Sequence, residues 1–196
     1  MKILVATKNQ GKLKEFKDLF DKFGIETLSL ADIDFTDEIV EDGLTFTENA
    51  LIKARTLNKL YDYAVVSDDS GLEVEVLGNQ PGIYSARYAG LECDDEKNID
   101  FLLENLNDYQ SLNQRKARYV CAIALVMPDK TEYNTIGYCD GFIDFSRKGT
   151  NGFGYDSVFY TPEFNKNMAE ITLEEKHSIS HRASALVKLK KILKKF

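Results

Sequence analysis

Two adjacent carboxylates, Asp68 and Asp69, follow the run Ala64-Val65-Val66-Ser67 and lead into Ser70-Gly71. The apolar entry reads as a buried strand, because β-branched residues suit a pleated, packed surface. Asp and Gly are poor strand formers, so Asp68 to Gly71 is expected to end that strand or bend it sharply. Neighbours on extended backbone point in opposite directions, so only one of the two Asp faces a given site. A carboxylate delivered by a rigid strand end is a hard oxygen ligand suited to Mg²⁺. The competing reading is an Asx turn, in which both side chains only satisfy loop amides.

A second stretch, Thr7-Lys8-Asn9-Gln10-Gly11-Lys12, follows a strand expected over Lys2 to Ala6. It opens a helix whose Leu13, Phe16, Phe20 and Phe23 share one face, with Asn9 as N-cap and Gly24 as stop. A polar turn at a helix N-terminus collects backbone N–H groups and the positive end of the dipole, both favourable to phosphate, and Lys8 and Lys12 add charge. The GxxxxGK[ST] loop is absent, and the plain alternative is a βα turn with solvated lysines. Lys53 lies within a helix expected over Gly43 to Leu60, which Thr45 and Glu48 open as a capping box.

Gly149 to Asp156 interleaves three glycines with Phe153 and Tyr155, so backbone can approach a ligand beside flat stacking surfaces. The alternative there is a tight loop with core aromatics. Lys176-His177-Ser178-Ile179-Ser180-His181-Arg182 is expected to open a C-terminal helix with Ala183, Leu186, Leu189, Leu193 and Phe196 on its core side. Its late lysines, among them Lys194 and Lys195, complement the dipole and receive no function. Cations at a helix start oppose the dipole, so His181 and Arg182 make sense beside a bound anion or carbonyl.

The elements that must hold these groups alternate in type, as in an α/β protein. A strand is expected over Glu26 to Leu30, an acidic loop over 31–42 and a half-buried strand over Leu72 to Val76. A turn over 78–82, a helix over Asp94 to Asn107, and a hairpin of Ala117 to Met127 with Thr131 to Ile143 complete the pattern. At 196 residues the chain is expected to be one domain, 1–196, with two lobes. Its net charge of −7 argues against a broad nucleic-acid surface. Three cysteines without CxxC spacing and only two histidines support neither a disulfide framework nor zinc. Without a signal peptide or an apolar run of membrane-spanning length, a cytoplasmic protein with no membrane partner is expected.

Six segments in this order resemble the inosine/xanthosine triphosphate pyrophosphatases, which clear aberrant purine nucleotides. They are Thr7–Lys12, Leu44–Ala50 with Lys53-Ala54-Arg55, Ser67–Leu72, Pro81–Tyr88, Gly152–Asp156 and Ser180-His181-Arg182. One departure is Lys8, where the bacterial pattern often has Gly; the backbone and Lys12 are expected to carry that contact. The resemblance implies an α/β fold with a long twisted mixed sheet flanked by helices, two lobes enclosing a nucleotide cleft, and a homodimer. It implies Mg²⁺-dependent hydrolysis of ITP, dITP and XTP to the monophosphate and pyrophosphate.

Carried onto these positions, the resemblance makes Glu41 and Asp69 the metal ligands and Asp69 the catalytic group that orients and deprotonates water. The turn Thr7, Lys8, Asn9, Gln10, Gly11, Lys12, together with Lys53, would hold the triphosphate, and Ser70 would also contact the substrate. Phe153, with Gly154 and Tyr155, would take the base by stacking, and Asp156, Lys176, His181 and Arg182 would read its edge. A binder without catalysis and a phosphatase of smaller esters remain as alternatives; the first needs no carboxylate pair, and the second releases orthophosphate.

Overall fold

The structure is a computed structural model and describes residues 2–194. Its elements are β1 (Lys2–Val5), α1 (Gln10–Asp21), β2 (Glu26–Leu28), α2 (Phe46–Leu60), β3 (Ala64–Val74), β4 (Gln80–Pro81), α3 (Asp95–Asn105), β5 (Lys116–Val126), β6 (Glu132–Ile143), β7 (Phe159–Thr161), β8 (Lys166–Asn167), α4 (Leu173–Ile179) and α5 (His181–Leu193), with short 3-10 turns between them. The strands form one sheet in the order β2-β1-β3-β5-β6-β7-β8, with β4 on β3. The sheet is mixed: β1 runs parallel to β2 and β3, whereas β4 on β3, β7 on β6 and β8 on β7 are antiparallel. Fold class is therefore α/β, as expected.

The chain divides into two compact units. The first holds the residues up to Asp69, Cys121–Gly137 and those from Ser184; the second holds Ser70–Val120 and Tyr138–Ala183. In the first unit the strands alternate sides residue by residue. Ile3, Val5, Ala64 and Val66 pack with Phe16 and Phe20 of α1 and with Ala185, Leu189 and Leu193 of α5. Leu4, Ala6 and Val65 pack with Ala50, Ala54 and Leu57 of α2. Thus α1 and α2 cover opposite faces, and β1 lies between β2 and β3. The carboxyl end of β1 is then a topological switch point, where open α/β sheets bind their ligands. In the second unit Leu72, Val74, Ile99, Leu102, Tyr119, Ile143 and Phe159 belong to one core under α3.

Three expectations need correction. β3 does not end or bend at Asp68 to Gly71; it runs unbroken from Ala64 to Val74. Propensity is overridden because β3 is an interior strand, with β1 and β5 as its neighbours, and because helices partner its carboxylates in place of loop amides. The helix expected from Gly43 starts at Phe46, with Thr45 as N-cap accepting from Glu48 N; Glu48 reaches back to Leu44 N, one residue earlier than a capping box requires.

The C-terminal helix is two helices. Ser180 breaks the run with extended backbone, and its Oγ caps α5 by accepting from Ala183 N at 3.1 Å. Lys176 and His177 therefore sit at the end of α4, and α5 buries Ala185, Leu189 and Leu193, with Ala183 only half-buried. Phe196 and Lys195 lie outside the described residues.

Candidate active site

At the end of β1 the chain turns through Thr7 and Lys8 into α1. Asn9 caps that helix, its Oδ1 accepting from Lys12 N at 3.1 Å, while Asn9 N donates to Thr7 Oγ1 at 3.2 Å. Gln10 and Gly11 are the exposed first residues of α1, and Lys8 Nζ reaches Thr36 O at 3.4 Å. The turn thus presents a helix N-terminus at the switch point, an arrangement suited to phosphate.

Beside it, β1 and β3 are in register from Ile3↔Ala64 to Val5↔Val66, so Ser67, Asp68 and Asp69 run past the end of β1. The predicted alternation holds. Asp68 is buried on the α1 side, 2.7 Å from Lys12 Nζ, and Asp69 turns to α2, where Asn49 Nδ2 donates to its Oδ2 at 3.2 Å. Lys53 Nζ lies 3.7 Å from Asp69 Oδ1 and 2.7 Å from Glu41 Oε2. The structure therefore brings Glu41, Lys53 and Asp69 together on one side of β3, and the Thr7–Lys12 turn with Asp68 on the other. Ser70 continues β3 and belongs to the second unit.

Burial raises the Asp69 carboxyl above its ordinary pKa; Lys53 opposes the shift and Glu41 adds to it. Burial also works against the Lys53 ammonium, but Asp69 and Glu41 together outweigh it and hold that pKa above the usual lysine value. Two carboxylates sharing one cation form a hard-oxygen set, and Mg²⁺ is ordinarily held by one or two carboxylates plus substrate phosphates and water. Among the described residues no group of three or more His, Cys, Asp or Glu side chains converges as an all-protein cage. Glu41 and Asp69 fit Mg²⁺ in the phosphate-assisted mode.

The second unit holds the other constellation. Asp156 is 4% exposed and accepts three hydrogen bonds: from Lys176 Nζ at 2.5 Å, Phe153 N at 3.1 Å and Tyr119 Oη at 3.3 Å. Phe153 is 63% exposed, and the Lys176 ammonium lies 5.2 Å from its ring centroid. Gly154 N donates to Asp95 Oδ2 at 2.8 Å, and the buried Tyr155 donates to Ser85 O at 2.8 Å. His181 stacks on Tyr119 with centroids 4.9 Å apart, and Arg182 is buried beside it in the first turn of α5. Gly152 has φ +81°, and a Cβ there would come 2.0 Å from Asp156 Oδ2, so glycine is required where the loop folds over that carboxylate.

Sequence reasoning missed Asn49, Tyr119 and the Asp68–Lys12 pair. Asn49 carried a signal, since a buried Asn inside a helix asks for a partner. Tyr119 carried none: it lies 37 residues from Asp156 in sequence. Its hydroxyl pKa is held far above the ordinary tyrosine value by burial and by Asp156, so it donates at any physiological pH.

The fold is that of an α/β protein whose first unit carries a helix N-terminus at the switch point and the Glu41–Lys53–Asp69 cluster, and whose second unit carries the exposed Phe153 beside Lys176. The model described as the Ham1 family matches residues 3–192, and the chain belongs to that family. The dITP/XTP pyrophosphatase of Bacillus anthracis is 48% identical, covering 95% of this chain and 93% of the relative. That of Bacillus subtilis (strain 168) is 46% identical, covering 97% and 96%. Among solved structures, the Staphylococcus aureus Ham1 protein has a TM-score of 0.93 at 39% identity, covering 99% of this chain and 98% of that one. A nucleoside-triphosphatase / dITP/XTP pyrophosphatase from Mycobacterium abscessus has a TM-score of 0.83 at 43% identity, covering 96% and 98%. The family resemblance drawn from the six segments is borne out.

Proposed function

We propose that this protein is a nucleoside triphosphate pyrophosphatase that hydrolyses ITP, dITP and XTP to the monophosphate and pyrophosphate and so cleanses the nucleotide pool. The observation that carries this is the half-buried Asp69 carboxyl, oriented by Asn49 and sharing Lys53 with Glu41, on a strand that runs past the helix N-terminus at the end of β1. The relatives' names support the substrate class. The phosphate end of the nucleotide is served by the Thr7–Lys12 turn, Lys53 and Ser70. Lys12 has three N–H donors, so it can hold Asp68 and still donate to phosphate oxygens.

Mg²⁺, held by Glu41 and Asp69, would neutralise phosphate charge in the transition state. Asp69 orients the attacking water and takes its proton. The bond broken joins the α- and β-phosphates, so the leaving group is pyrophosphate. Lys53 and the amides of the turn stabilise charge as it moves onto that group.

The base stacks on Phe153, against the Gly154-Tyr155 backbone. Lys176, His181 and Arg182 donate to its edge, while Asp156, which accepts from three donors, aims Lys176 and shares in reading that edge. This chemistry is assigned to the cytoplasm; no helix among the described residues is long and apolar enough to cross a membrane.

The deciding experiment is a Mg²⁺ assay over a nucleotide panel with pyrophosphate and orthophosphate resolved. Pyrophosphate from ITP, dITP and XTP is expected; orthophosphate alone, or no turnover, overturns the proposal.

Lys53→Ala or Lys12→Ala should weaken binding of triphosphates more than of monophosphates, by about 1.5–3 kcal/mol for a charge-assisted contact. Equal weakening in calorimetry with both nucleotides would remove these lysines from the triphosphate contact. Assembly as a closed two-fold homodimer is also part of the proposal. Light scattering should give twice the 22.3 kDa chain mass, and a monomer at all concentrations would refute it.

A further inference from the structure

Asn49 lies inside α2, is 2% exposed, and uses both ends of its amide away from its own helix. Nδ2 donates to Asp69 Oδ2 at 3.2 Å, and Oδ1 accepts from Gly43 N at 2.9 Å. These partners fix the amide's orientation. A backbone N–H only donates and an ionised carboxylate only accepts, so the flipped amide would oppose like groups at both ends.

Gly43 lies two residues beyond Glu41. A Cβ on Gly43 would come 2.8 Å from Asn49 Oδ1 and 2.7 Å from Glu48 Cβ, so the missing side chain is what lets this loop rest on α2. Asn49 and Lys53 are four residues apart and share a helix face. One end of the amide therefore holds the strand that carries Asp69, and the other holds the loop that carries Glu41.

Resting on the catalytic role proposed for Asp69, we infer that Asn49 is a positioning residue that sets the spacing of the Glu41 and Asp69 carboxylates for a divalent cation. An Asn that merely satisfied the mouth of α2 would cost stability when lost and leave cation affinity unchanged. Partners that orient metal-binding carboxylates typically contribute about 10–100-fold in metal affinity.

The test uses the full-length protein and Mn²⁺ as probe, titrated by electron paramagnetic resonance with and without α,β-methylene deoxyinosine triphosphate. Asn49→Ala removes both hydrogen bonds, and Gly43→Ala unseats the loop from the other side. Each variant should raise the Mn²⁺ dissociation constant about tenfold or more. The Mg²⁺ concentration for half-maximal turnover should rise in parallel, with nucleotide KM at saturating metal close to wild type. If Asn49→Ala fails to fold, Gly43→Ala decides.

Unchanged Mn²⁺ affinity in a folded variant overturns the inference, as does a wild type that binds no Mn²⁺ under either condition. A wild type that binds Mn²⁺ in the expected way but releases no pyrophosphate overturns the catalytic proposal alone, because the titration does not depend on turnover.

Discussion

Replacing Asp69 by Asn should lower kcat by about 10²–10⁴-fold, the range typical of a lost general acid–base group, while nucleotide binding stays largely intact. The substitution preserves shape, and the new side chain retains an oxygen that can accept from Asn49 Nδ2. What it removes is the charge beside Lys53 and the capacity to take a proton from water. Its neighbour gives the contrast. Asp68 lies on the other side of β3 against Lys12, so Asp68→Asn should act through Lys12 and raise KM more than it lowers kcat. Pyrophosphate release at saturating substrate, with equilibrium dialysis of the nucleotide, separates the two variants. Near-normal turnover by Asp69→Asn would remove it from the catalytic role.

The second large effect concerns the base. A 6-keto purine offers an acceptor oxygen where adenine offers an amino donor. Lys176 and Arg182 only donate, and Asp156 has Tyr119, Phe153 and Lys176 already directed at its oxygens. Adenine's amino group would face the donors Lys176 and Arg182, while Asp156 is already engaged by three donors of its own. A site built around one hydrogen-bonding pattern rejects the wrong one by about 10⁴–10⁵-fold at its best. Inosine and xanthosine triphosphates should therefore turn over well and adenosine triphosphate worst; guanine shares the 6-keto oxygen, so the poor turnover expected of guanosine triphosphate rests instead on a second feature near C2, which we assign to the backbone around Phe153-Gly154-Tyr155-Asp156.

Lys176→Ala should do more than slow the enzyme. Loss of a charged donor, about 1.5–3 kcal/mol, should shrink the preference for inosine over adenosine by at least about tenfold. Measured kcat/KM for the four nucleotides on wild type and variant decides the matter. Equal use of adenosine and inosine triphosphates by wild type would refute the donor-pocket argument.

Local order made much of the phosphate side legible. Asn9 as the cap of α1 and the opposite orientation of Asp68 and Asp69 follow from backbone geometry alone, whatever lies elsewhere in the chain. The extent of β3 was not legible, because Asp and Gly propensities describe a residue without its neighbours, and this strand has a strand on each side. The break between α4 and α5 was hidden for a related reason. Ser180 is a good N-cap by type, but Ser178 two residues earlier is equally so, and only the bond from Ala183 N shows which serine opens α5. The base side was half legible: glycines and aromatics marked the loop, but Tyr119 reaches Asp156 across long sequence separation, which no local pattern records.

The unbroken course of β3 also makes the side of each carboxylate a matter of parity. Even-numbered Ala64, Val66 and Asp68 go with α1, and odd-numbered Val65 and Asp69 go with α2. Inserting one residue between Val66 and Ser67 would exchange the two assignments, setting each acid against the other's lysine without altering the Ser67–Leu72 segment itself. Length, more than composition, is therefore the rigid quantity in this segment. The connection over 31–42, largely without regular structure, carries no such constraint, because no strand counts its residues in twos.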